Sequence, residues 1–144
     1  GVLAPSSLFL SVSSRFVIAG RPVTISGSLS PALPGKDVTI YVRSGSSSWS
    51  VLIKVVTDSN GRYSFTWSPP TAGTYSIRAG WSGDADYAGA DSNTAILSVV
   101  SMEWLLMGIV VIVSLGVLLV MVIVTRRKPP EETEILADNE VFEE

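Results

Sequence analysis

Three carboxylates, Asp84, Asp86 and Asp91, share one loop-like stretch between the last two strand-like runs of the chain. Carboxylate oxygens brought together in a loop are what a calcium ion takes, so these three are the candidate metal ligands. Their spacing departs from the Asp-x-Asp-x-Asp-Gly-x5-Glu calcium loop, and Asp also forms turns by bonding its own backbone. Trp49 follows Ser46, Ser47 and Ser48. An indole beside a polar loop is a candidate surface contact for sugar or protein, against the plainer role of starting a strand and packing. The same serines are candidates for O-linked sugar, whereas Asn60, Asn93 and Asn139 all lack the Ser or Thr of an N-glycosylation sequon. Catalysis has little to draw on, since the chain has no His and no Cys. It also lacks a Gly-x-Ser-x-Gly elbow, a zinc signature and a phosphate loop. The expectation is a non-enzymatic protein without a cofactor.

Charge narrows the partners. Residues 1–103 carry seven basic side chains (Arg15, Arg21, Lys36, Arg43, Lys54, Arg62, Arg78) and six acidic ones (Asp37, Asp58, Asp84, Asp86, Asp91, Glu103). Nothing there has the basic bias of a nucleic-acid surface. The absence of cysteine means no disulfide, which leans prokaryotic for a domain outside the cell.

What must hold these residues in place divides at Trp104. From Trp104 to Val124 the chain is uncharged and apolar. As a helix rising about 1.5 Å per residue it covers roughly 31 Å, the thickness of a bilayer core. A strand of that length would run on the order of 70 Å, more than a small domain can cover. A transmembrane helix over 104–125 is expected, anchored by Trp104 on one side and by Arg126, Arg127 and Lys128 on the other. The basic cluster follows the span, so the positive-inside rule puts the N-terminus outside the cell and the C-terminus in the cytoplasm. Gly108, Ile112 and Gly116 share one helix face and are a candidate surface for close helix packing, with lipid contact as the alternative. Residues 126–144 form a short cytoplasmic tail, rich in Glu after Pro129-Pro130 and expected to be disordered. Anionic lipid repels that stretch, which leaves it open to a basic cytosolic partner.

Residues 6–100 read as β-structure after a lead-in at 1–5, with 101–103 as a linker. Leu8, Leu10 and Val12 alternate with Phe9, Ser11 and Ser13, and Val23, Ile25 and Leu29 with Thr24, Ser26 and Ser28. Val38, Ile40 and Val42 alternate with Thr39, Tyr41 and Arg43, and a Ser-Gly loop at 44–48 leads to a strand over Trp49–Thr57. Asp58-Ser59-Asn60-Gly61 predicts a tight hairpin whose second arm puts Tyr63, Phe65 and Trp67 on one face. Tyr75, Ile77, Ala79 and Trp81 repeat the pattern, and Asn93–Val100 closes it. About seven short alternating strands predict an antiparallel, Ig-like β-sandwich. An odd number of antiparallel strands has the chain entering at one pole and leaving at the other, and the short linker holds the domain close to the lipid.

Three stretches carry a family resemblance: Pro22-Val23-Thr24-Ile25-Ser26-Gly27, then Thr57-Asp58-Ser59-Asn60-Gly61-Arg62-Tyr63, then Ala72-Gly73-Thr74-Tyr75-Ser76-Ile77 followed by Trp81-Ser82-Gly83-Asp84-Ala85-Asp86-Tyr87. They resemble the bacterial Ig-like repeats of prokaryotic cell-surface proteins, with Trp81 in place of the usual Tyr. The resemblance covers roughly residues 6–100 and implies an Ig-type sandwich. Tyr75 also looks like the tyrosine corner of such folds, in which the hydroxyl bonds nearby backbone. Fold alone does not choose among spacer, adhesive unit and enzyme appendage.

The expected function is therefore a single-pass cell-surface protein, or the C-terminal part of one, whose Ig-like module is a structural spacer, anchor or adhesive unit. The alternatives are an accessory subunit of a larger integral membrane complex and the membrane anchor of an upstream exoenzyme. The expected partners are the lipid bilayer and proteins at the cell surface or within the membrane. The chain starts at Gly1 with neither a basic n-region nor an apolar h-region, so either a signal peptide has been removed or a longer protein precedes it.

Overall fold

The computed structural model describes residues 2–127, apart from the side chain of Trp104. Lys128 and the acidic stretch to Glu144 lie outside the described residues. Two compact units divide near Leu105, a β-domain and a helix.

The β-domain is a sandwich of nine strands: β1 (Ser7–Val12), β2 (Phe16–Ile18), β3 (Val23–Ser30), β4 (Asp37–Ser44), β5 (Ser50–Val56), β6 (Arg62–Trp67), β7 (Gly73–Gly83), β8 (Ala88–Asp91) and β9 (Ala95–Val100). One sheet has the order β1-β3-β6; the other runs β2-β9-β7-β4-β5, with β8 on β7. Two strands exceed the expected seven, and both are short. β2 is a continuous apolar triplet and β8 is built of small residues inside the expected loop, so neither has the alternation that marks a half-buried strand.

Alternation places the core as expected. Leu8 and Leu10 of β1, Val23, Ile25 and Leu29 of β3, Val38 and Ile40 of β4, Ile77, Ala79 and Trp81 of β7, and Leu97 and Val99 of β9 are all buried between the sheets. Tyr63 is buried with them, while Phe65 and Trp67 pack at the margin. Burying such side chains contributes about 1.5–3 kcal/mol each relative to exposure. The opposite face of the smaller sheet is mostly hydroxyl, with Ser11, Thr24, Ser26, Ser28, Ser64 and Thr66 on its three strands.

Three polar devices close the sandwich. At the 58–61 turn Asp58 Oδ1 accepts the backbone N–H groups of Arg62 and Asn60, at 2.9 and 2.8 Å, which holds its carboxyl below the usual range. Gly61 takes φ +74° there, as the tight turn requires. The Tyr75 hydroxyl donates to the Thr71 carbonyl at 2.9 Å and lies 2.6 Å from the Thr71 hydroxyl, so the tyrosine corner is present. Trp67 packs edge-on against the Tyr75 ring at 5.5 Å. Between the sheets, the Asn93 amide serves both backbone groups of Leu10. Its Oδ1 accepts the Leu10 N–H at 3.0 Å, and its Nδ2 donates to the Leu10 carbonyl at 2.9 Å. A side chain thus stands where a neighbouring strand would be.

The register settles the two ends of the domain. Ala4 bridges Tyr87, Leu10 meets Asn93, and β2 pairs in parallel with β9 from Phe16↔Ser98 to Ile18↔Val100. The first strands therefore run alongside the last one in the same direction. The chain enters at the pole of Tyr87 and leaves at the pole of Val100.

The second unit is dominated by α1 (Met102–Arg126), which begins inside the stretch expected as a linker. Its residues Leu105–Arg126 form one helix long and apolar enough to cross a membrane by length and composition.

Candidate functional site

The outer face of the larger sheet gathers most of the domain's unusual side chains. Because Val38 and Ile40 point inward, Thr39, Tyr41 and Arg43 of β4 point outward. Arg78 of β7 lies directly across from Tyr41, and Lys54 of β5 lies across from Thr39. Trp49 reaches this face through the 44–48 turn, in which Gly45 takes φ +57° and the Ser47 hydroxyl accepts the Ser44 N–H at 3.2 Å. The turn folds the chain back so that the indole lies beside β4 instead of projecting past it.

The result is a stack of guanidinium and aromatic groups. Arg43 Cζ lies 4.8 Å from the Trp49 ring centroid, and Arg78 Cζ lies 4.8 Å from Trp49 and 4.6 Å from Tyr41. Each such contact is worth about 0.5–1 kcal/mol when exposed and more when dry. Gly80 makes room for the arrangement, since a Cβ there would come within 3.1 Å of Asp91 Oδ1 and 3.3 Å of the Tyr41 ring. Arg78 Nη1 is 3.6 Å from Asp91 Oδ1, a loose ion pair with an exposed carboxylate. Arg43 Nε is buried and has no hydrogen-bond partner among the described residues. A guanidinium offers five donors in a planar fork, and neither Arg43 nor Arg78 spends them on a close carboxylate. With Lys54 farther along, this face sets three cations against two carboxylates, Asp91 beside Arg78 and Asp37 beside Lys54.

Of the three carboxylates that are candidate calcium ligands, Asp84 and Asp91 are put to separate uses. Asp84 Oδ2 pairs with Lys36 Nζ at 2.6 Å, and its Oδ1 accepts the N–H groups of Asp86 and Tyr87 at 2.9 and 2.8 Å. The Lys36 ammonium, helped by those backbone donors, holds the Asp84 carboxyl below the ordinary range. Asp91, at the end of β8, turns instead to Arg78 of the adjacent β7. Among the described residues no group of three or more His, Cys, Asp or Glu is placed to hold a metal ion. Asp84 is a turn former tied to a lysine, which is the plainer of its two expected roles.

Of the other candidate residues, Trp49 is half-buried against arginines and neither fully exposed nor part of the core. Gly108, Ile112 and Gly116 lie on α1, and a Cβ at either glycine would meet nothing. Arg126 ends the helix and Arg127 follows it, both exposed. The Trp104 side chain and Lys128 fall outside the described residues. Sequence reasoning singled out Trp49 but missed Arg43, Arg78 and Tyr41. The available signal was that β4 and β7 each place an arginine at an outward position of a strand whose alternate residues are core.

Residues 10–100 match the family described as Bacterial Ig-like domain (group 3). No curated protein matches the chain. Among solved structures, the chain is similar to the PKD domain of an M14-like peptidase from a Thermoplasmatales archaeon, with 16% identity, TM-score 0.46, and coverage of 69% of this chain and 99% of that one. It is also similar to the sporulation control protein Spo0M from Bacillus subtilis, with 8% identity, TM-score 0.47, and coverage of 69% and 51%. A CARDB domain from Pyrococcus furiosus, solved in complex with di-metal ions, gives 15% identity, TM-score 0.38, and coverage of 65% and 93%.

Proposed function

The chain belongs to the bacterial Ig-like domain (group 3) family, and from that premise we propose that it is a non-catalytic, membrane-anchored surface module. The β-domain is a spacer that carries whatever lies at its N-terminal pole away from its C-terminal one. The carrying observation is the succession of a sandwich that ends at Val100 and an apolar helix that starts at Met102 and carries no charge between Glu103 and Arg126, with entry and exit at opposite poles of the sandwich. A helix uncharged over this length favours lipid at every Leu, Ile and Val by about 0.3–0.6 kcal/mol near the bilayer centre. Arg126, Arg127 and Lys128 follow the span and Glu103 precedes it, which supports a domain outside and a tail inside.

Protease added to intact cells tests this reading. An epitope placed before Ser7 is cleaved and one placed after Glu144 is protected, and the protein stays in the membrane fraction through an alkaline carbonate wash. Release by the wash, or cleavage of the C-terminal epitope on intact cells, overturns the proposal.

A further inference from the structure

The stack on the outer face of the larger sheet points to a binding role that the anchor reading does not require. We propose that Trp49, Tyr41, Arg43 and Arg78 form a site for an acidic saccharide, in which the two guanidiniums take a sugar carboxylate. The argument rests first on charge. Arg43 and Arg78 face one exposed carboxylate, Asp91, which reaches Arg78 only at 3.6 Å, while Lys54 shares its end of the face with Asp37. Arg43 has no anionic partner among the described residues, and its buried Nε makes no hydrogen bond. Holding a cation in a partly dry place without a partner costs free energy, and a bound carboxylate removes that cost through short, charge-assisted bonds. Stacking on Trp49 and Tyr41 fixes both forks before any ligand arrives, so little side-chain entropy remains to be lost on binding.

The second argument selects sugar over peptide. β4 and β7 have ladder partners on both sides, so their backbone N–H and C=O groups are committed within the sheet. An extended peptide is held mainly through such groups at a free sheet edge, and the centre of this face has none to give. Recognition here falls to side chains alone. Guanidinium forks suit a carboxylate, the part of the Tyr41 and Trp49 side chains left outside the stack adds apolar contact beside them, and the serine hydroxyls of the 44–48 turn suit ring hydroxyls.

The test uses the full chain in detergent micelles, which separates it from any question of membrane topology. Tetragalacturonate is titrated against tryptophan emission, with its methyl ester and tetraglutamate as the comparison ligands. The expected result is saturable quenching by tetragalacturonate that disappears in Trp49→Phe. The ester, which keeps the sugar and loses the charge, binds at least about tenfold more weakly, and Arg43→Gln and Arg78→Gln weaken tetragalacturonate by about tenfold or more. Arg43→Lys retains the charge and loses the fork, so it too is weakened. Unchanged thermal midpoints certify that each variant is folded; a variant that fails this check is replaced by salt titration of the wild type, where rising ionic strength must weaken binding. Absence of saturable binding at millimolar ligand, equal binding of the ester, or full affinity in folded Arg43→Gln overturns the proposal. Tetraglutamate binding as tightly as tetragalacturonate also overturns it, in favour of an acidic peptide.

Discussion

The hydroxyl of Tyr63 donates a 2.6 Å hydrogen bond to the carbonyl oxygen of Phe9, two strands away across the smaller sheet. The residue between them is Gly27, which pairs with Leu10 on one side and Tyr63 on the other. The Tyr63 ring crosses the central strand where a side chain is missing, and both edge strands are tied together over it. Tyr63→Phe keeps the ring and loses the bond, an expected loss of about 1 kcal/mol. For a domain of this size that is roughly 4–8 °C in thermal midpoint, read by circular dichroism.

The same tyrosine carries an alkaline signature. Burial pushes its hydroxyl above the ordinary phenol range. The contribution is whole below the unfolded value near pH 10 and is lost as pH rises above it towards the folded value. The wild type should therefore lose stability above about pH 10 more steeply than Tyr63→Phe.

Gly27→Ala is expected to be among the most damaging small substitutions in the domain. A Cβ there collides with the Phe9 carbonyl oxygen and the Tyr63 hydroxyl together, so backbone has to move. The expected cost is about 3 kcal/mol, at the upper end for overpacking. Adding Tyr63→Ala removes one obstacle and leaves the carbonyl. The double variant should therefore recover little in denaturant melts.

Asn93→Asp separates donor from acceptor at the β1 edge. The carboxylate still accepts the Leu10 N–H but cannot donate to the Leu10 carbonyl, and it sets one oxygen against another. A loss of about 2 kcal/mol is expected at neutral pH, and acidification that protonates the new carboxyl should recover part of it.

Acid acts on Asp84 in the opposite direction. Its folded pKa is depressed, so the stabilisation it gives is present above the unfolded value near pH 4 and is lost as pH falls through the lower folded value. Asp84→Asn should be less stable than the wild type at pH 7 and should show a shallower decline below about pH 4. Millimolar calcium in place of chelator should leave the wild-type melting temperature unchanged, because Asp84, Asp86 and Asp91 are not gathered into one donor set.

The core was legible because strand alternation is a local signal. Leu8 with Leu10, Val23 with Ile25, and Val38 with Ile40 each announce which face is dry, and all are buried. The 58–61 turn was legible for the same reason, since Asp58 and Gly61 satisfy the turn within a few residues. β2 and β8 were not, because strands of three and four residues hold their place by pairing with distant partners, β9 and β7. The aromatic–arginine face was half legible. Trp49 stood out beside its serines, but Arg43 and Arg78 meet it only because β4 pairs with β7, and pairing across that interval leaves no mark on either stretch. The turn role of Asp84 was legible from its place in a loop, but its pairing with Lys36 and that of Asp91 with Arg78 were not, because both partners lie on other strands or loops.

The parallel ladder of β2 on β9 decides how the domain meets a pull on its two ends. A load applied before Ala4 falls first on β1, held by β3, and passes through it to drag β2 one way along its axis, and a load applied after Val100 drags β9 the other way. Their hydrogen bonds are stretched side by side and must break together, whereas a hairpin loaded at its open end parts one rung at a time. Asn93, bonded to both backbone groups of Leu10, adds a rivet farther up the same seam. The domain is thus built to resist sliding, and extension should register as a single rupture and not a gradual lengthening.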